Sequence, residues 1–138
     1  MNWLRRRPRR VDLKFVDDSS MVVLITARDA AQADSAVLAQ AAGRGVDLTQ
    51  PLLLVHHLVL PDVAAVEVAR TLLAQDGYEL TVQRDLDAAY AVRAWRTQVI
   101  TALAAAQERS RAAGLAQRLG GDVRGWDALG PGLQPNLP

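Results

Sequence analysis

The order of hydrophobic and polar residues predicts a buried strand followed by an amphipathic helix in the middle of the chain. Residues 52–60 form a short, almost continuously apolar run, which is typical of a central strand. Pro61 and Asp62 end this run, and Asp62 can cap a helix that reaches about Gln75 and stops at Gly77. The apolar residues of this helix recur at helical spacing: Ala65, Val66, Ala69, Leu72 and Leu73.

Two segments with strict alternation follow and predict a β-hairpin. Residues 78–83 and 90–95 each place apolar side chains on one face and polar or mixed side chains on the other. The predicted inner residues are Tyr78, Leu80, Val82, Tyr90, Val92 and Ala94. The predicted outer residues are Glu79, Thr81, Gln83, Ala91, Arg93 and Trp95. One face of the sheet is therefore expected to be largely polar.

A long helix and a last short strand complete this half of the chain. Thr97 is the predicted cap of a helix that extends to Leu119 and ends at the glycine pair that follows. A short strand is predicted over residues 122–126. From residue 52 the order is strand, helix, strand, strand, helix, strand. This order predicts an α+β, ferredoxin-like β-α-β-β-α-β sandwich with a four-stranded antiparallel sheet and both helices on one face.

The first third of the chain predicts a β and helical extension of that sandwich. Residues 11–15 and 21–25 are β-prone and are separated by polar residues, so they predict a hairpin or two extended segments. Residues 29–42 favour a helix by their alanine content. The expected organisation has four parts: a flexible basic arm at 1–10, an extension at 11–44, the ferredoxin-like domain at 45–130 and a disordered tail at 131–138.

Composition is that of one domain with little capacity for redox or thiolate chemistry. The 138 residues are 50% hydrophobic and 22% charged, which is enough to bury a core. With no cysteine there is no disulfide or thiolate metal site, and a cytoplasmic location is expected. The longest apolar run, residues 52–60, contains two histidines and is too short to span a bilayer.

The net charge of +1 hides an arginine-rich N-terminus. This arm could bind phosphate on RNA or on an anionic lipid, or it could be a solvated mobile segment. Its last two arginines also match part of a twin-arginine export signal. The apolar run at 21–25, however, is short for the hydrophobic region of such a signal. The candidate phosphate-binding residues are Arg5, Arg6, Arg7, Arg9 and Arg10.

Candidate catalytic residues are few. His56 and His57 are adjacent on a strand, so their side chains point to opposite faces and cannot jointly hold a metal. No serine lies in a nucleophile elbow, and no phosphate-binding glycine loop is present in the sequence. Asp85 and Asp87 lie in a predicted turn, where solvated acids are ordinary. The sequence therefore predicts a protein that is not an enzyme, with no catalytic residue, cofactor or metal.

The polar sheet face and two tryptophans are the remaining candidates for binding. Arg93 and Trp95, with His57 near them, could stack an RNA base and hold a phosphate, but Trp95 could instead pack beneath the N-terminal segment. Trp126 follows a glycine turn, where a large aromatic residue usually closes the core.

Two loop motifs resemble a known family. Residues 45–51, Gly-Val-Asp-Leu-Thr-Gln-Pro, and residues 120–127, Gly-Gly-Asp-Val-Arg-Gly-Trp-Asp, are similar to motifs of the regulator of ribonuclease E activity B family. The resemblance implies the same ferredoxin-like fold. Val123 stands where that family favours tyrosine, and Arg124 where it favours aspartate, so a partner contact at this point would be altered.

The resemblance implies a non-enzymatic regulator that masks a surface of a ribonuclease, such as an enzyme of the E/G type, and thereby modulates RNA turnover. One alternative is an RNA- or ribosome-associated module that uses the arginine arm and the Arg93/Trp95 face. Another is a structural interaction subunit unrelated to RNA. The candidate partner-binding residues are His57, Arg93, Trp95, Arg124 and Trp126.

Overall fold

The computed structural model describes residues 14–84 and 89–132, which contain five strands and three helices. In chain order these elements are β1 (Met21–Ala27), α1 (Asp34–Gly43), β2 (Leu52–Leu60), α2 (Val63–Ala74), β3 (Glu79–Arg84), β4 (Tyr90–Gln98), α3 (Ala102–Arg118) and β5 (Asp122–Pro131).

The strands form one antiparallel sheet in the order β1-β5-β2-β4-β3. Strand β4 lies between β2 and β3, the two strands that α2 connects, which is the split β-α-β arrangement of a ferredoxin-like sandwich. Strand β1 pairs with β5 and extends this four-stranded sheet at one edge. The predicted fold class, with its β and helical extension, is confirmed.

One face of the sheet is covered by the helices and holds most of the core. Strand positions alternate in direction, so the even-numbered residues of β2 face the helices while Leu53 and Val55 face the other side. Helices α2 and α3 pack on one half of the covered face, and α1 packs with the start of α3 on the other half. We call this the helix-covered face, and the opposite side the open face.

Helix α2 begins as the sequence predicts, but α3 does not. The Asp62 side chain accepts a hydrogen bond from the Ala65 amide at 2.8 Å and caps α2. The prediction that Thr97 caps α3 is wrong, because β4 continues to Gln98, whose partner in β2 is Leu52. The cap of α3 is Thr101.

The predicted start of the first helix also needs correction. Helix α1 begins at Asp34 rather than at Asp29, whose side chain instead accepts a hydrogen bond from the Ala31 amide and holds a local turn. For residues 11–15 and 21–25 the sequence predicts a hairpin or two extended segments. Within the described residues no hairpin is seen, because residues 14 and 15 form no strand and Phe15 lies against the open face. Residues 1–13, 85–88 and 133–138 are outside the described residues, so the basic arm, the Asp85–Asp87 turn and most of the predicted tail lie there. No helix in the described ranges is long and apolar enough to cross a membrane.

Candidate partner-binding surface

The open face is divided into an apolar half and a polar half. The apolar half is a small cluster of Met21, Leu53, Val55, Trp95 and Leu129, against which Phe15 packs. Trp95 is only 9% exposed, and its indole N–H donates to the Thr81 hydroxyl at 3.2 Å. Packing beneath the N-terminal segment, one of the two interpretations of Trp95, is therefore what the structure shows.

The polar half is a cleft of about 390 Å³. Three of the residues expected from the sequence line it together, namely His57 from β2, Arg93 from β4 and Arg124 from β5. Asp17, Arg28 and Thr81 also line the cleft. The fold therefore brings a histidine and two arginines from three strands to one place, with carboxylates beside them.

Asp127 anchors the β5 side of this cleft. Its side chain is buried, and its Oδ2 accepts hydrogen bonds from Arg28 Nη2 at 2.9 Å and from His57 Nε2 at 2.8 Å. Burial by itself raises the pKa of the Asp127 carboxyl, but the hydrogen bonds from His57 and Arg28 outweigh it and lower the pKa to about 2. Asp127 is therefore ionised at neutral pH.

Arg28 and His57 are also in direct contact, with Nη2 2.8 Å from Nε2. A ring nitrogen either carries a hydrogen and donates, or has a lone pair and accepts. With a hydrogen on Nε2, His57 can bond to Asp127; without one, it can accept from Arg28. The tautomer of His57 thus determines which of these two contacts its Nε2 makes.

Arg93 is held by an aspartate from the N-terminal segment. Its Nε and Nη2 donate to the two carboxylate oxygens of Asp17 at 2.6 and 2.8 Å. The hydrogen bonds that Arg93 donates to Asp17 raise the pKa of the Arg93 guanidinium. This two-pronged contact joins residues that are 76 positions apart in the chain.

A β-bulge in β5 directs Arg124 into the cleft. His56 pairs with Trp126 and Leu58 pairs with Val123, so β5 has one residue more than β2 between these pairs. Gly125 takes a φ of 95°, and a Cβ added there would lie 2.3 Å from the Ala27 carbonyl oxygen. The extra residue lets Val123 pack on the core while Arg124 is exposed on the open face. Arg124 makes no ion pair with any other described residue.

Trp126 does not belong to this surface. It is fully buried on the helix-covered face, and its indole N–H donates to Asp34 Oδ1 at 3.1 Å. Asp34 also forms an ion pair with Arg109 of α3. The structure therefore places Trp126 in the core, one of the two interpretations of its position, and out of reach of a partner on the open face. The five arm arginines lie outside the described residues.

A second group of polar residues lies beneath α3 on the helix-covered face. The Tyr78 hydroxyl donates to Glu108 at 2.7 Å, and Arg96 both pairs with Glu108 at 2.8 Å and stacks 4.5 Å above the Tyr78 ring. Burial raises the pKa of Tyr78. The neighbouring His56 packs edge-on against Tyr78 but has no hydrogen-bond partner at either ring nitrogen, and burial lowers its pKa to about 4.

Sequence reasoning missed two residues that line the cleft, Asp17 and Arg28, and also the buried Asp127 that binds Arg28 and His57. Asp127 could have been found, because it follows the buried Trp126 and must face the other side of the strand. Arg28 and Asp17 reach the cleft through contacts across the fold, which no local pattern predicts. No group of three metal-ligating side chains of the kinds His, Cys, Asp and Glu occurs within residues 14–84 and 89–132. The cleft instead offers several hydrogen-bonding and charged groups on a broad surface, as a binding surface does.

A family model described as RraB, regulator of ribonuclease activity B, matches residues 31–128, which is more than two thirds of the chain. The matched span contains both loop motifs and runs from just before α1 into β5. Neither a curated protein nor a solved structure gives a significant match.

Proposed function

Because this chain belongs to the regulator of ribonuclease activity B family, we propose that it is a non-enzymatic regulator that binds a ribonuclease and thereby modulates RNA turnover. The proposed partner is an enzyme of the ribonuclease E/G type, as the two loop motifs imply. We further propose that the protein acts in the cytoplasm, with which its lack of cysteine is compatible.

The convergence of His57, Arg93 and Arg124 on one cleft is the observation that carries this proposal. The cleft combines the guanidinium groups of Arg93 and Arg124 with the carboxylates of Asp17 and Asp18, and it adjoins the apolar cluster around Trp95. A protein surface supplies both polar and apolar groups to match such a face. Mixed charge also favours selection of one partner over others.

The RNA-binding alternative receives less support from the described residues. A stacking platform needs an aromatic ring whose face is open to a base. Trp95 is 9% exposed and packs with Phe15, so its ring does not offer that face. Arg93 is already bound to Asp17. RNA or ribosome binding through the arginine arm stays a prediction, as does a structural role unrelated to RNA.

Binding to the purified ribonuclease E/G enzyme of the host cell tests the proposal. We expect a complex that persists as salt is raised, because a hydrophobic and mixed-charge interface depends less on salt than phosphate contacts do. Replacing Arg124 by Asp should change the dissociation constant by at least about tenfold, which is about 1.4 kcal/mol. Arg70→Asp is the matched control, since Arg70 lies on α2 and its one ion pair among the described residues is with the exposed Glu67.

Three results would contradict the proposal. One is the absence of a salt-tolerant complex with the ribonuclease. Another is an equal change in the dissociation constant for Arg124→Asp and Arg70→Asp, which would show that the open face is not the binding surface. A third is binding to RNA alone with a steep salt dependence, which would favour the RNA-binding alternative.

A further inference from the structure

Residues 14–20 cross the open face as an irregular segment that we call the strap. The strap forms no strand. Three contacts hold residues 15–17 on the sheet, and at the strap's end the Gly132 amide donates to the Ser20 carbonyl oxygen at 2.9 Å. The Phe15 ring packs on the apolar cluster, the Phe15 amide donates to the Thr97 hydroxyl at 2.8 Å, and Asp17 binds the Arg93 guanidinium. A turn at Asp18 and Ser20 then leads into β1.

The strap has the geometry of an extended peptide in a binding site. Phe15 and Asp17 face the sheet, whereas Val16 between them is 54% exposed and Asp18 after them is exposed. Alternate side chains of an extended peptide fill pockets in this way when it docks on a protein. One pocket of the open face accepts an aromatic ring, and the next accepts a carboxylate.

The contacts that hold the strap are also few enough for a bound segment to replace them. One hydrogen bond joins the backbone of Phe15 to the side chain of Thr97, and the side chain of Arg93 is 36% exposed. Segments with few buried apolar contacts open at lower free-energy cost than core strands do. The cleft continues beyond Arg93 to Arg28 and Arg124, where further acidic residues of a ligand would meet cations.

We propose that the open face is a docking site for an extended partner segment in which an aromatic residue is followed two positions later by Asp or Glu, and that the strap occupies this site until the partner displaces it. This inference rests on the proposed function in so far as the segment belongs to the ribonuclease. The strap supplies the sequence pattern, Phe-Val-Asp-Asp at residues 15–18. Arg93 is the residue that recognises the carboxylate.

A peptide with the strap's own sequence tests this inference. The full chain carrying Phe15→Ala and Asp17→Ala is titrated with the peptide Lys-Phe-Val-Asp-Asp-Ser-Ser and followed by NMR. We expect saturable shifts of the Trp95 indole and the Arg93 side chain. The parent chain should bind the peptide at least about tenfold more weakly, because a tethered strap competes at an effective concentration in the millimolar range.

Matched peptides and variants show which contacts matter. Peptides in which the phenylalanine is replaced by alanine, or the first aspartate by asparagine, should each lose at least about fivefold in affinity. Arg93→Ala added to the strap double variant should abolish the preference for aspartate over asparagine. If the double variant fails to fold, the single variant Asp17→Asn frees Arg93 while keeping Phe15, and it should still bind the peptide more tightly than the parent does.

Three results would overturn the inference. The peptide could fail to shift Trp95 in a folded strap variant, or bind the parent and the variant equally. A single-stranded RNA oligonucleotide could displace the peptide, which would make the site one for nucleic acid. Ribonuclease binding is measured on the same two proteins. If the peptide docks but the ribonuclease does not bind, the proposed function alone is contradicted. If the ribonuclease binds and the peptide does not compete with it, the docking site alone is contradicted.

Discussion

Neighbouring residues of one strand have different surroundings on the two faces of the sheet. His56 and His57 are adjacent in β2, yet His56 is buried beside Tyr78 on the helix-covered face, whereas His57 bonds Asp127 in the cleft of the open face. The same holds for Trp126, which is fully buried in the core, and Asp127, which follows it. Strand alternation thus separates residues that stabilise the fold from residues available for binding.

The difference between the faces lies in what covers them. Three helices cover one face, and its polar groups, such as Glu108 and Tyr78, bond to one another inside the protein. The seven-residue strap covers part of the open face, and its cleft has exposed cationic groups. We therefore expect changes on the helix-covered face to alter stability and changes on the open face to alter binding.

The largest loss in the free energy of unfolding is expected from Trp126→Ala. Truncating a buried tryptophan typically costs about 3–5 kcal/mol, out of a total stability of about 5–15 kcal/mol. The same truncation of Trp95 should cost less, because that ring lies in a smaller cluster beneath a single strap. Chemical denaturation of both variants measures the difference. Equal losses would mean that the open face carries as much of the stability as the helix-covered face.

His56 should make stability depend on pH. Its pKa is lowered by burial from 6.5 to about 4 in the folded protein, so on acidification the unfolded chain takes up this proton first. The stabilisation is present above pH 6.5 and is lost as pH falls towards 4, by about 3 kcal/mol at 1.36 kcal/mol per pKa unit. Denaturation midpoints across this range measure the loss.

His56→Leu is the variant that isolates this effect. It removes the titrating ring and its two unpaired nitrogens, so the pH dependence between 6.5 and 4 should flatten without a loss of stability at pH 7. The contribution of Asp127 is lost only at lower pH, as its carboxyl protonates between about 4 and its lowered pKa of about 2. A steep dependence that survives His56→Leu would contradict the assignment.

A smaller loss of stability is expected from replacing the glycine of the bulge, Gly125, and Gly45 serves as its control. Gly125 and Gly45 have similar φ angles, 95° and 98°, but only at Gly125 would a Cβ meet a backbone atom within 4 Å. Gly45→Ala should therefore cost about 1–2 kcal/mol through backbone strain alone. Gly125→Ala should cost at least about 1 kcal/mol more, because β1 must move away. Equal melting temperatures of the two variants would show that β5 and β1 do not meet closely there.

Alternation predicted the fold well and the site only in part. It assigned the faces of Arg93 and His57, because β2 and β4 pair along their whole length with no irregularity between them. It could not assign Arg124, whose direction depends on one extra residue in β5 and thus on the pairing with β2. The contacts of Asp17 with Arg93 and of Arg28 with Asp127 span 76 and 99 positions, so they exist only once the strands are in register.

The smallest effect on stability is expected from Arg124→Asp. An exposed residue without an ion pair among the described residues should change the free energy of unfolding by less than about 0.5 kcal/mol. Calorimetry of Arg124→Asp beside Arg70→Asp measures this. A loss above about 1 kcal/mol would mean that Arg124 stabilises the bulge, and its effect on binding could then not be assigned to the open face.

The indole resonances of Trp95 and Trp126 in the ribonuclease complex test the central claim most directly. One side chain lies on each face, so a single NMR spectrum recorded with and without ribonuclease E/G compares them, with Trp→Phe variants to assign each signal. We predict that the Trp95 indole shifts as the partner binds and displaces the strap, while the Trp126 indole stays in place. A complex that forms with Trp95 unmoved and Trp126 shifted would contradict the assignment of binding to the open face.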